Sequence, residues 1–158
     1  MTLTPEQDPD RGPGPPLVAL AEAVARRYHA GQVDRVGVAY IEHPRAVAGL
    51  LAGAPERCRA AAWLHDVLEH TGATAADLRS DGVPAEVVAL VEVLTRSPGE
   101  DYLAFIARVC EDPAAVRVKI ADALHNLDPA RDFGPSAEHR ARYHRALVKL
   151  FGALSAEG

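Results

Sequence analysis

The stretch AAAWLHDVLEH, residues 60–70, sets His65, Asp66, Glu69 and His70 beside a run of Ala, Trp and Leu. Wound as an α-helix, at about 100° per residue, it splits into two arcs. Ala60, Ala61, Leu64, Val67 and Leu68 fall on one, and the four titratable residues fall on the other. His65 and Glu69 are then i,i+4 neighbours, as are Asp66 and His70. Such a face is either solvated, with two weak ion pairs, or a ligand surface. The adjacent His-Asp next to an apolar stripe favours the second, because both can aim a nitrogen and an oxygen at one metal ion.

A second cluster lies at VKIADALHN, residues 118–126. Asp122 and Asn126 are i,i+4 neighbours, and Lys119 precedes Asp122 by three. A carboxylate in so apolar a helix needs a partner, since an unpaired buried charge is costly. Asp122 either pairs with an arginine of another helix or completes a metal site with His65 and Asp66. A third histidine would be needed, and His43 in IEHPR is the best placed, because Pro44 fixes the chain beside it. His43 can equally be an ordinary loop histidine.

The elements that must position these residues read as helices throughout. Residues 17–31 form an apolar-periodic segment stopped by Gly31, and 32–44 have no helical period. HPRAVAGLLAG follows with Pro44 in its first turn. PERCRAAAWLHDVLEH carries the opening motif. Thr74 caps a short helix through AADLRSDG. PAEVVALVEVLTR, DYLAFIARVCED, PAAVRVKIADALHNL (113–127) and SAEHRARYHRALVKLFGAL complete the set. There are no alternating strands, no Gly-rich phosphate loop and no internal repeat. The expected fold is all-α, a compact bundle of about eight helices spanning 17–154. Residues 1–16 carry five of the 12 prolines and read as a flexible tail.

Composition bounds the partners. The chain of 158 residues is 48% hydrophobic and 25% charged, with net charge −5. That length suits one domain with a proper core. The acidic balance argues against binding a nucleic-acid polymer, whose phosphates demand a basic surface. It leaves room for a small anionic substrate held by a metal and a few basic side chains. No apolar run is long enough to span a membrane, and the N-terminus lacks a signal peptide's basic and apolar regions. Cys58 and Cys110 form no CxxC pair, so a reducing, cytoplasmic setting is expected. Self-association into a homo-oligomer stays open.

YIEHP, LHDVLEHT and VKIADALHN, in that order and spacing, resemble the hydrolase domain of the Rel/SpoT alarmone enzymes and the stand-alone small alarmone hydrolases. These are HD-domain metal-dependent phosphohydrolases. The resemblance runs from about Ala25 to about Asn126, and VPAEVVALVEVLTR resembles the family's following helix. It implies His43, His65, Asp66 and Asp122 as ligands of one divalent ion, typically manganese. It implies Glu69 as the catalytic glutamate and Asn126 as a contact to the nucleotide sugar. The implied reaction is hydrolysis of a 3′-pyrophosphate, with (p)ppGpp as lead substrate and pyrophosphate plus GDP or GTP as products. Lys119 and Arg35 become candidates for neutralising phosphate charge. Tyr143 matches a late tyrosine of the small hydrolases, with Arg140 and His144 beside it.

The chain departs from the family pattern in three places. Glu69 is followed by His70 where Glu-Asp is usual. A histidine can relay a proton near neutral pH but supplies no fixed negative charge. The basic loop reads QVDRVGVAY, with Asp34 where an arginine contacts guanine and Ala39 where proline is usual. An aspartate offers no planar cationic face. One helix is read past the site, with no synthetase or regulatory domain. Two alternatives follow: an HD hydrolase of another nucleotide or phosphate ester, and a metal or nucleotide sensor that binds without turnover. Retention of Glu69 disfavours the sensor. His29 reads as a packing or loop-anchoring residue, Trp63 as core or a protomer contact, His139 as surface, and His125 as pointing away from Asp122.

Overall fold

The computed structural model describes residues 16–131 and 134–157. The tail expected over 1–16 lies, apart from Pro16, outside the described residues. Among the described residues nine helices account for the regular structure: α1 (Leu17–Tyr28), α2 (Glu42–Leu50), α3 (Glu56–Leu64), α4 (Val67–His70), α5 (Ala75–Ser80), α6 (Ala85–Val93), α7 (Tyr102–Val109), α8 (Pro113–Asn126) and α9 (Ala137–Ser155). One isolated antiparallel bridge, Val33 to Ala39, closes the loop between α1 and α2. The all-α expectation holds. None of these helices is long and apolar enough to cross a membrane.

The helix starts follow local chemistry. Thr74 and Asp77 form a reciprocal capping box on α5. The Asp101 carboxylate accepts from the Ala104 amide and starts α7. Asp112 accepts from Ala114 and Ala115, with Pro113 in the first turn of α8, where its missing N–H costs nothing. Ser136 caps α9.

α3 and α8 form the centre. α3 packs on α1, α2, α6 and α8, while α8 also packs on α2 and α9. Ala60, Ala61 and Ala62 on α3 and Ala115 and Ala123 on α8 are fully buried. Side chains this small let neighbouring backbones approach closely. A helix enclosed on all sides is apolar all round, and Ala62 and Trp63 are buried together with the predicted stripe of Ala60, Ala61 and Leu64.

The single helix expected over residues 55–70 is two helices. α3 ends at Leu64, and Asp66 takes φ −100°, ψ −4° before α4 begins. His65 Nδ1–H donates to the Ala62 carbonyl at 2.7 Å, turning the ring back onto the end of α3. The break moves His65 and Asp66 off a solvated arc and into the interior, at 4% and 8% exposure, while Leu68 is only half-buried.

Candidate metal centre

Four side chains from three places in the chain converge. His43 comes from the first turn of α2, His65 and Asp66 from the α3–α4 break, and Asp122 from the middle of α8. All four are buried. His43 Nε2 lies 3.0 Å from Asp122 Oδ1, 3.4 Å from Asp66 Oδ2 and 3.2 Å from His65 Nε2. His65 Nε2 lies 3.3 Å from Asp66 Oδ2 and 3.5 Å from Asp122 Oδ1. Ligand bonds of about 2.1 Å would set donor atoms about 3.0 Å apart at right angles and about 3.4 Å apart at tetrahedral angles. The spacing fits one ion, and two imidazoles with two carboxylates suit a divalent metal. His43, His65 and Asp66 form a group that could hold an ion.

The electrostatics agree. Burial alone would raise both carboxyls. The charge and hydrogen bond of His65, with His43 beyond, hold Asp66 well below the usual carboxylate range. Lys119, His43 and His65 do the same for Asp122. Burial disfavours the His65 imidazolium, yet Asp66 and Asp122 outweigh it and push the group up to about 10. Burial lowers His43 in spite of its acidic neighbours. The carboxylates stay ionised and demand positive charge at their centre.

Surrounding groups orient the four. Tyr40 Oη–H donates to Asp66 Oδ2 at 2.7 Å. Asn126 Nδ2 donates to Asp122 Oδ1 at 2.8 Å, and Lys119 Nζ donates to Asp122 Oδ2 at 2.6 Å. The partner of Asp122 is thus a lysine of its own helix rather than an arginine from another. Lys119 is buried, and although burial disfavours its ammonium, Asp122 raises it further. Lys119→Met should therefore strand the Asp122 carboxylate. We expect a loss of about 3–5 kcal/mol in chelator, read from denaturant melts, with added Mn2+ recovering part of it by pairing with the same carboxylate.

A cavity of about 240 Å³ opens over the cluster, lined among others by Glu69, His70, Lys119, Asn126 and Tyr143. His70 Nε2 sits 3.1 Å from Glu69 Oε2 and 3.8 Å from Asp66 Oδ1, and the bond to Glu69 raises its pKa. Arg35 does not line this cavity. It lines a neighbouring one of about 330 Å³ that shares Asn126, Arg131 and Tyr143. On α9 it is Arg142 and Tyr143 that face the metal-centre cavity, whereas Arg140 and His144 are exposed and lie outside its lining.

Sequence reasoning missed several lining residues. The Arg142 guanidinium lies 4.4 Å above the Tyr102 ring and Arg96 5.7 Å from the same ring. Tyr102 Oη and Arg142 Nε are buried without a hydrogen-bond partner. Arg131 Nη1 donates to Asn126 Oδ1. The one signal for Arg142 was its place beside Tyr143. Nothing in the sequence pointed to Arg96 or Tyr102. His125 Nδ1 lies 2.7 Å from His43 Nδ1, a contact with the cluster that the sequence reading did not foresee. His29 does anchor a loop: it is buried, bonded to Gln32 at 2.6 Å, and Gln32 Nε2 donates to the His70 carbonyl.

Comparison with known proteins places the chain in a family. The model of the HD domain matches residues 21–108. A probable GTP pyrophosphokinase of Mycobacterium leprae is 35% identical over 150 residues, covering 88% of this chain and 19% of the relative. A probable guanosine-3′,5′-bis(diphosphate) 3′-pyrophosphohydrolase of Synechocystis is 32% identical, covering 88% and 20%. The bifunctional (p)ppGpp synthase/hydrolase SpoT of Escherichia coli is 31% identical, covering 85% and 21%. The chain thus spans about a fifth of the length of the curated relatives it matches. A solved structure described as a metazoan ortholog of SpoT that hydrolyzes ppGpp shares the fold, with TM-score 0.70 and 24% identity over 91% of this chain and 88% of that one. The HD-model match covers more than half of the sequence, across the α1–α7 region that holds three of the four converging side chains, and the chain belongs to the HD domain family.

Proposed function

We propose that this chain is a metal-dependent phosphohydrolase that removes the 3′-diphosphate of (p)ppGpp, giving GDP or GTP and pyrophosphate. The observation that carries the reading is the set of four converging donors with Glu69 on the rim of the same cavity. Relatives from Synechocystis, Escherichia coli O157:H7 and Shigella flexneri bear the name of that hydrolase, which supports the substrate class. His43, His65, Asp66 and Asp122 would hold the ion, most suitably Mn2+, given mixed imidazole and carboxylate ligation. When bound, it supplies Lewis-acid polarisation of a phosphoryl oxygen and a lowered pKa for water.

The remaining work belongs to the chain. Glu69 takes a proton from the attacking water. A new P–O bond forms to the phosphorus next to the ribose, and the bond from that phosphorus to O3′ breaks. The 3′-oxygen leaves as the hydroxyl after receiving a proton, for which His70 stands beside Glu69. Lys119, Arg96 and Arg142 line the cavity and offset phosphate charge. The orphan Tyr102 Oη and Arg142 Nε are donors suited to phosphate oxygens. Asn126 and Tyr143 stand between the metal cavity and the Arg35 cavity, where the sugar and distal phosphates would lie. The two free cysteines fit a cytoplasmic setting.

A second reading is an HD hydrolase of another nucleotide. It is favoured by Asp34, whose Oδ1 accepts from the Val36 and Val38 amides and so shapes the loop instead of presenting a cation to a base. Product analysis separates the two. Incubation with Mn2+ and ppGpp is expected to yield GDP plus pyrophosphate, abolished by chelator. No product from protein with bound Mn2+ overturns the alarmone assignment, and a nucleotide panel then tests the second reading.

A further inference from the structure

We propose that His125 is a positioning residue that fixes the His43 ring for the metal by accepting a hydrogen bond from its far nitrogen. This rests on the metal-centre reading above. His43 turns Nε2 toward Asp122, Asp66 and His65, and Nδ1 toward His125 at 2.7 Å. Two imidazole nitrogens at that distance share one proton: one donates and the other offers its lone pair. A ligating Nε2 needs its own lone pair free, which puts the His43 proton on Nδ1. His43 Nδ1–H therefore donates to His125 Nδ1, and the His125 proton sits on Nε2. The tautomers of these two rings follow from that one condition.

The two histidines of the cluster are oriented by different means. His65 donates its Nδ1–H to a backbone carbonyl, that of Ala62. His43 has a side chain in that place, supplied 82 positions away in sequence. His125 stands three residues after Asp122 on α8, so a single helical turn provides one ligand directly and holds another through its neighbour. The His43 and His125 rings are stacked, with centroids 5.0 Å apart and planes 18° from parallel. Two roles are thus separable: accepting the proton and filling space. His125 and His43 both border a cavity of about 310 Å³ that also touches Tyr40, the donor to Asp66.

The test is Mn2+ binding to the full chain without nucleotide, read by calorimetry and by loss of the free-Mn2+ paramagnetic signal. His125→Phe keeps a ring and removes the acceptor. His125→Asn places an amide oxygen close to where Nδ1 stood. Loss of an outer hydrogen-bond partner costs about 10–100-fold in metal affinity, and that loss is expected for His125→Phe. His125→Asn is expected to recover most of it. Should His125→Phe melt below the titration temperature, His125→Ala serves as the acceptor-free variant with the same expectation. Wild-type affinity in the acceptor-free variant overturns the proposal. An asparagine variant as weak as the phenylalanine one also overturns it, since an acceptor at that place would then not restore the binding. Asp66→Ala in the same titration separates the failures: if it too binds Mn2+ like wild type, the metal centre itself is misassigned.

Discussion

Asp66→Ala is expected to lose its Mn2+ and, with it, turnover above background. Asp66 Oδ2 faces both histidines, at 3.4 Å from His43 Nε2 and 3.3 Å from His65 Nε2. Alanine leaves two neutral imidazoles and Asp122, and Lys119 already neutralises Asp122 at 2.6 Å. The remaining set then carries little net negative charge toward a divalent ion, and a hard cation such as Mn2+ depends on carboxylate oxygens. Elemental analysis after desalting should find wild type with bound metal and the variant without it. Tyr40 Oη also loses its acceptor, which by itself costs about 1–3 kcal/mol for a buried group. A melt in chelator therefore accompanies the measurement, so that loss of metal is read on folded protein. Unchanged metal stoichiometry in folded Asp66→Ala would remove Asp66 from the ligand set and sink the four-donor assignment, since two imidazoles and one carboxylate can hold a divalent ion without it.

How much of this was legible beforehand depends on the distance over which each contact acts. The Lys119–Asp122–Asn126 arrangement is a matter of i,i+3 and i,i+4 spacing, and both bonds form as helical geometry dictates. The starts of α5 and α8 were likewise readable from Thr74 and Pro113. The break at His65–Asp66 was not. Its cause is the bond from the His65 ring to a carbonyl three residues back, which competes with helix continuation and carries no signature in hydrophobic period. The contact of His125 with His43 was missed for a different reason. From Asp122 alone it lies on an adjacent strip of α8, and only the packing of α2 on α8 brings His43 against it. Arg35 was placed by position in a loop, and loop geometry set by Asp34 directs it to the neighbouring cavity. Side chains that meet through tertiary packing leave no local trace, and Arg96 and Arg142 over Tyr102 are of that kind.

Glu69→Gln should keep Mn2+ and lose about 10²–10⁴-fold in kcat, the usual contribution of a positioned proton acceptor. Glu69 stands outside the group of four donors but on the wall of their cavity, on a short helix, α4, whose last carbonyl is held by Gln32. Glutamine matches the size and keeps an oxygen while removing the basic site. The carboxylate also raises His70 through the 3.1 Å contact, so the variant lets His70 return toward its ordinary value and weakens it as a proton donor near neutral pH. Both effects act on the chemical step, which predicts a fall in kcat with KM and Mn2+ affinity little changed. A fall confined to KM would make Glu69 a substrate contact. Turnover equal to wild type would remove it from proton transfer altogether. In that event His70→Ala is the decisive comparison, because His70 Nε2 is the next titratable group toward Asp66 and the only other one on α4.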